Sequence, residues 1–122
     1  MRTIVIADDF PNTRKVVEFT LNKLGEDVVC LHANDGKEAL QFFDGRKIDL
    51  LVSDYNMPNL DGGELTRHVR QMKDYECIPI LILTTEKDEG KKQSAKDLGI
   101  TAWVKKPFAT DEFLDIVKRC LR

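Results

Sequence analysis

The sequence predicts an α/β three-layer sandwich built on a parallel sheet. Two observations predict it. Four short stretches are almost continuously apolar and rich in branched residues: T-I-V-I-A (Thr3 to Ala7), I-D-L-L-V-S (Ile48 to Ser53), I-P-I-L-I-L-T (Ile78 to Thr84) and T-A-W-V-K (Thr101 to Lys105). Runs of this kind, without polar alternation, suit strands covered on both faces. Segments with helical spacing lie between them, and strand followed by helix recurs along the whole chain.

The elements follow in order. After the first strand, Val16, Val17, Thr20, Leu21 and Leu24 share a predicted helix face, and Gly25 is a stop signal. D-V-V-C-L-H (Asp27 to His32) is a fifth strand of mixed polarity, which suits an edge. Asp35 with Glu38 three residues later reads as a capping box ahead of Ala39, Leu40 and Phe43, and Gly45 ends that segment. A third helix carries Leu65, Val69 and Met72. The fourth, 87–98, is the weakest, with Gly90 inside it and only Ala95 and Leu98 as an apolar face. Thr110 is the expected cap of a last helix that buries Phe113, Leu114, Val117 and Leu121. Right-handed crossovers leave few topologies, of which the flavodoxin-like strand order 2-1-3-4-5 is the natural one.

Composition narrows the function. The chain has 122 residues, which fits one domain with a core of its own. The formal net charge of -2 offers no global basic field for nucleic acid or anionic membrane. No apolar run approaches the roughly 20 residues of a spanning helix, and the N-terminus reaches acidic residues too early for a signal peptide. Cys30, Cys77 and Cys120 are widely spaced, form no metal-ligand cluster and read as reduced thiols of a cytoplasmic protein. His32 and His68 are isolated and read as surface or satisfied histidines. The expectation is one domain over 1–122 with no linker, repeat or output domain.

Ligands of such a sheet bind at the carboxyl ends of its strands. The first strand ends in Asp8 and Asp9, the third in Asp54, the fourth in Thr84 and Thr85, and the fifth in Lys105 and Lys106, followed by Pro107. Three carboxylates, a hydroxyl and an ammonium therefore gather on one rim. One lysine does not neutralise three acids, and oxygen-only ligands favour Mg²⁺ (or Mn²⁺). A metal held this way keeps positions open for phosphoryl oxygens, and an aspartate can take a phosphoryl group covalently. Asp54 is read as a phosphoryl acceptor sharing Mg²⁺ with Asp9, and Thr84 as a donor to a phosphoryl oxygen.

These motifs, D-D-F near the start, S-D-Y-N-M-P-N-L-D-G in the middle, L-T-T-E after the fourth strand and W-V-K-K-P-F near the end, resemble the receiver domain of bacterial two-component response regulators. The resemblance covers the whole chain and leans toward the stand-alone chemotaxis regulators of the CheY type. It implies that Asp54 accepts phosphate from a phosphohistidine on a sensor histidine kinase. It implies further that Asp9, Asp54 and the backbone carbonyl of Asn56 bind Mg²⁺, that Asp8 holds the metal through water, and that Thr84 and Lys106 contact the phosphoryl group. Lys106-Pro107 is then a cis peptide, Trp103 is the switch aromatic that moves with Thr84, and Asn56 and Glu86 tune dephosphorylation. Output passes to a downstream protein through the face of the fourth helix, fifth strand and fifth helix. The implied state is a monomer, with a phosphorylation-linked dimer as the alternative.

Three features depart from the family's common pattern. Trp103 replaces the usual Tyr or Phe, and its larger indole implies an incomplete inward swing or a wider cavity. Thr85 stands where a smaller residue is common, which narrows access to Asp54. The fourth helix, E-K-D-E-G-K-K-Q-S-A-K-D, is highly charged, including Lys91 and Lys92, and suits polar or acidic partners. Asn56 and Glu86 match the short-lived chemotaxis pattern, with phosphate lifetimes of seconds to minutes. The alternatives are a phosphorelay intermediate or phosphate sink, a receiver that binds without phosphate, and two rivals of other classes. A haloacid dehalogenase-like phosphatase wants an acid where Asn56 stands. A flavodoxin-like cofactor carrier wants a phosphate cradle where the acidic loop D-D-F-P-N-T stands.

Overall fold

The computed structural model describes residues 1–85 and 98–121. It contains five strands: β1 (Arg2–Ala7), β2 (Val28–Ala33), β3 (Leu50–Asp54), β4 (Ile80–Thr84) and β5 (Ala102–Lys105). They form one parallel sheet in the order β2-β1-β3-β4-β5, the expected order. The described helices are α1 (Pro11–Leu21), α2 (Gly36–Leu40), α3 (Gly62–Arg70) and a C-terminal helix (Thr110–Cys120). The expected fourth helix falls on residues 87–98, of which only Leu98 is described.

Side-chain alternation along the strands sorts the core into two layers. Ile4, Ile6, Leu50, Val52, Leu81, Leu83 and Val104 pack with Val17 and Leu21 of α1 and Phe113 and Val117 of the C-terminal helix. Val5, Leu51, Ile80 and Ile82 pack on the opposite face with Ala39 of α2 and Leu65 and Val69 of α3. Every residue of β3 and β4 is buried, whereas β2, at the sheet edge, is mostly part-exposed and buries only Ala33.

Several local expectations change. β4 starts at Ile80 rather than Ile78, since Pro79 has no N–H for the ladder and contributes only its carbonyl, which accepts from Leu51. β3 starts at Leu50 rather than Ile48, although Ile48 is buried. On α1, Val17, Thr20 and Leu21 face inward at three- and four-residue spacing, but Val16 lies one step around the helix and is 55% exposed. Asp35 caps α2 by accepting from the Glu38 N–H at 2.7 Å, while the Glu38 carboxylate accepts from Asn34 rather than from Asp35 itself. Thr110 is not the cap of the last helix. Ala109 holds the extended cap position without a side-chain bond, Thr110 is already helical, and Asp111 and Glu112 lie in the first turn, where negative charge complements the helix dipole.

A full capping box, absent from the sequence reading, starts α3. Asp61 accepts from the Glu64 N–H at 2.8 Å and Glu64 accepts from the Asp61 N–H at 3.1 Å. Asp61→Ala is expected to cost about 1 kcal/mol, read as a lower urea midpoint at unchanged slope. An unchanged midpoint would mean that the loop, not the cap, fixes the start of the helix.

All three cysteines are free thiols. Burial, reinforced by Glu18, pushes the Cys30 thiol up to about 12, whereas Cys77 is exposed. At pH 8, alkylation is expected at Cys77 first, with Cys30 slower by roughly two orders of magnitude or more. Equal labelling rates in peptide mass mapping would contradict that environment for Cys30.

Candidate functional site

Register builds the site. β1 pairs with β3 up to Ala7 opposite Ser53, and one step further along both strands sets Asp8 beside Asp54. β3 pairs with β4 up to Asp54 opposite Leu83, and β4 with β5 up to Thr84 opposite Lys105. Four segments thus deliver their last side chains to one rim.

Asp8, Asp9 and Asp54 each offer a carboxylate oxygen within 4.8 Å of the others. Lys106 reaches over them, with Nζ 3.0 Å from Asp54 Oδ1 and 3.5 Å from Asp8 Oδ2. Asp8 and Asp54 are 1% and 6% exposed. Burial raises the Asp54 carboxyl above the ordinary range, against the pull of Lys106. Burial raises Asp8 as well, opposed by the Phe10 N–H, which donates to its Oδ1, and by Lys106.

The cluster is short of partners. Asp9 Oδ1 is buried and accepts no hydrogen bond, and the buried Asp8 Oδ2 has no partner closer than the Lys106 ammonium at 3.5 Å. Buried carboxylate oxygens left this way are costly unless a cation supplies what the protein does not. Three carboxylates offer only oxygen donors and outnumber the one ammonium beside them, a set that fits a hard divalent cation.

The other expected residues are placed as follows. Thr84 is buried at the end of β4, where its hydroxyl donates to the Thr85 carbonyl at 3.2 Å. Asn56 lies in the exposed loop two residues past Asp54. Lys105 is exposed, while its neighbour Lys106 is turned onto the acids. Lys106-Pro107 is cis. Glu86, Lys91 and Lys92 lie outside the described residues. Thr85 is exposed and lines, with Val16, Lys106 and Phe108, a recess of about 480 Å³ that none of the three acids lines. His32 is satisfied, held between Arg14 and Glu18.

Trp103 is half-buried in β5 and stacks on Tyr55, with ring centroids 5.9 Å apart and planes inclined by 22°. Sequence reasoning missed Tyr55. Its one signal was its position next to Asp54, where β3 ends and the chain turns toward α3.

Comparison with known proteins identifies the family. The chemotaxis response regulator CheY4 of Vibrio cholerae is 37% identical, with a TM-score of 0.86 over 99% of both chains. The receiver domain of the sensor histidine kinase PA1611 from Pseudomonas aeruginosa, solved with a magnesium ion coordinated in its active site cleft, is 27% identical. It has a TM-score of 0.87 and the alignment covers 98% of this chain and 97% of that one. A signal receiver domain of a signal transduction histidine kinase from Syntrophus aciditrophicus is 28% identical, with a TM-score of 0.88 over 99% of this chain and 90% of its own. Residues 4–118 match the family model described as the response regulator receiver domain. That match runs from the first strand to the last helix, and the chain belongs to the response regulator receiver domain family.

Proposed function

We propose that the protein is a phosphorylation-activated switch of a two-component system and that Asp54 is its phosphoryl acceptor. The observation that carries this reading is the Asp54 carboxylate, buried at a strand end with the Lys106 ammonium at 3.0 Å and two further acids beside it. A sensor histidine kinase is the donor. An Asp54 oxygen attacks phosphorus, the bond from phosphorus to the donor imidazole breaks, and the imidazole leaves with a proton from solvent. Lys106 is placed to balance charge on the incoming group. Thr84 gives up its bond to the Thr85 carbonyl and donates to a phosphoryl oxygen.

Asp9, Asp54 and the Asn56 carbonyl would hold Mg²⁺ (or Mn²⁺), with Asp8 acting through water. That ion supplies charge neutralisation and polarises phosphoryl oxygen. Asn56 and Glu86 set the rate at which water removes the phosphate. The chain assists its own phosphorylation and dephosphorylation and turns over no separate substrate.

Output follows Trp103. A swing inward takes its ring off Tyr55, and the indole size makes that swing incomplete or demands a wider cavity. The signal leaves through β5, the C-terminal helix and the segment between β4 and β5, toward a downstream protein. Likeness to CheY4 supports a chemotaxis role.

Incubation with acetyl phosphate, with and without Mg²⁺, followed by intact mass, tests the reading. One phosphoryl group gained only with Mg²⁺, none in Asp54→Asn, and a fluorescence change at Trp103, the one tryptophan, are expected. Catalytic release of free phosphate without a phosphoprotein would instead indicate a hydrolase. Phosphorylation of the Asp54→Asn variant would place the acceptor elsewhere.

A further inference from the structure

Arg14, in the first turns of α1, touches none of the three carboxylates, yet it grips the backbone that carries two of them. Its Nη1 donates to the Asp8 carbonyl at 2.6 Å and to Asn34 Oδ1 at 2.8 Å, and its Nε donates to His32 Nδ1 at 3.2 Å. A guanidinium only donates, so His32 Nδ1 carries no proton and the ring proton sits on Nε2. That nitrogen donates to Glu18 Oε1 at 3.0 Å. Arg14 and Glu18, one turn apart on α1, therefore clasp His32 of β2 from both sides.

The consequence falls on Asp8. Its N–H donates to the Ala33 carbonyl at 3.1 Å, its carbonyl accepts from Arg14, and its Oδ1 accepts from the Phe10 N–H at 2.9 Å. Only Oδ2 is left over, and it faces Lys106. The Asp8 carbonyl belongs to the peptide that leads into Asp9, so the orientation of that planar unit sets the direction of the next side chain. Among the described interactions, Arg14 is the one side chain that holds this carbonyl.

We propose that Arg14 is a positioning residue for divalent-cation binding at the Asp8, Asp9 and Asp54 cluster. It fixes the Asp8-Asp9 peptide so that both carboxylates meet Asp54. The proposal rests on the reading of that cluster as a cation site. Its sign separates it from plain electrostatics. Arg14 is itself a cation, so removing its charge alone would tighten binding of a divalent ion. Loss of positioning weakens it, typically by tenfold or more for residues that orient ligands.

Mn²⁺ titration, read from the disappearance of the free-ion EPR signal, measures binding without any phosphodonor. The variants are Arg14→Ala, Arg14→Lys, the exposed charge control Lys15→Ala, and Asp9→Asn, with folding checked by near-UV circular dichroism. Expected are at least tenfold weaker binding in Arg14→Ala, an intermediate loss in Arg14→Lys, and no weakening in Lys15→Ala. A lone ammonium keeps the charge but not the fork, so Arg14→Lys decides the matter should the alanine variant fail to fold. Guanidinium chloride at low millimolar concentration should restore part of the affinity of Arg14→Ala, and potassium chloride at equal ionic strength should not. Binding in both Arg14 variants as tight as wild type overturns the proposal while leaving the cluster intact as a cation site. Wild-type binding that Asp9→Asn does not weaken overturns the cation-site reading itself.

Discussion

Asp54→Asn is expected to abolish phosphoryl acceptance and, in the presence of a chelator, to raise the thermal midpoint. The second effect follows from the direction of the carboxyl shifts. Burial raises both Asp54 and Asp8 above their ordinary value of 3.8. A carboxyl raised on folding binds its proton more tightly in the folded state. The stability it contributes is fully present below the unfolded value and is lost as pH rises through the folded one. At neutral pH the ionised cluster is a net cost, and the amide of Asn removes one charge from it at nearly constant shape. Lys106 keeps Asp8 at 3.5 Å as a partner. Single substitutions commonly change stability by about 1 kcal/mol, which at this chain length reads as a shift of roughly 3–5 °C, upward here. Lowering the pH from neutral toward the raised values should narrow the gap between wild type and variant, because protonation then does to wild type what the substitution does. Mg²⁺ should raise the wild-type midpoint more than that of the variant. A variant that melts lower without metal would mean that the bond to Lys106 outweighs the burial of the charge.

The strand order and the acidic rim were legible because they depend on pattern. Branched apolar runs mark strands buried on both faces, and parallel register carries their last residues to one edge. Asp8, Asp9, Asp54, Thr84 and Lys106 could be gathered from sequence for that reason alone. What escaped depends on direction rather than position. Tyr55 meets Trp103 across β4, two strands away in the sheet, and nothing in either segment announces that the rings stack. Arg14 looks like any polar residue near a helix start. Its bonds join Asp8 to Asn34 and His32, residues some twenty positions distant in sequence. Capping was legible only in part. Asp35 and Asp61 both stand three residues ahead of a glutamate, yet only the pair at Asp61 closes reciprocally, because Glu38 turns to Asn34 instead. Thr110 failed as a cap because the chain stays extended one residue less than the sequence suggested.

Gly62→Ala is expected to damage the site from a position that touches no phosphoryl group. Gly62 is the first residue of α3, and its N–H donates to the Tyr55 carbonyl at 2.7 Å. A Cβ added there would lie 2.6 Å from the Asp54 carbonyl oxygen and 3.0 Å from Tyr55 Cα. Both neighbours are backbone at the end of β3, pinned to β4 by the bond from the Tyr55 N–H to the Leu83 carbonyl, so neither swings aside as a side chain would. The helix must lift or the acceptor strand must shift, and overpacking of this kind costs about 1–3 kcal/mol. The adjacent glycine is the control. A Cβ at Gly63 meets the Tyr55 hydroxyl at 3.0 Å, Asp61 Oδ1 at 3.3 Å and a Leu98 methyl at 3.4 Å, all ends of side chains that can yield. Replacing a helical glycine with alanine also recovers about 1 kcal/mol of helix propensity, so Gly63→Ala should sit near neutral. Urea unfolding separates the two, and phosphorylation rates of the folded fraction should fall for Gly62→Ala while Gly63→Ala stays close to wild type. Equal behaviour of the two variants would mean that the loop from Asp54 to Asp61 is compliant. The acceptor would then owe its place to the strand ladder and Lys106, with no contribution from the seat of α3.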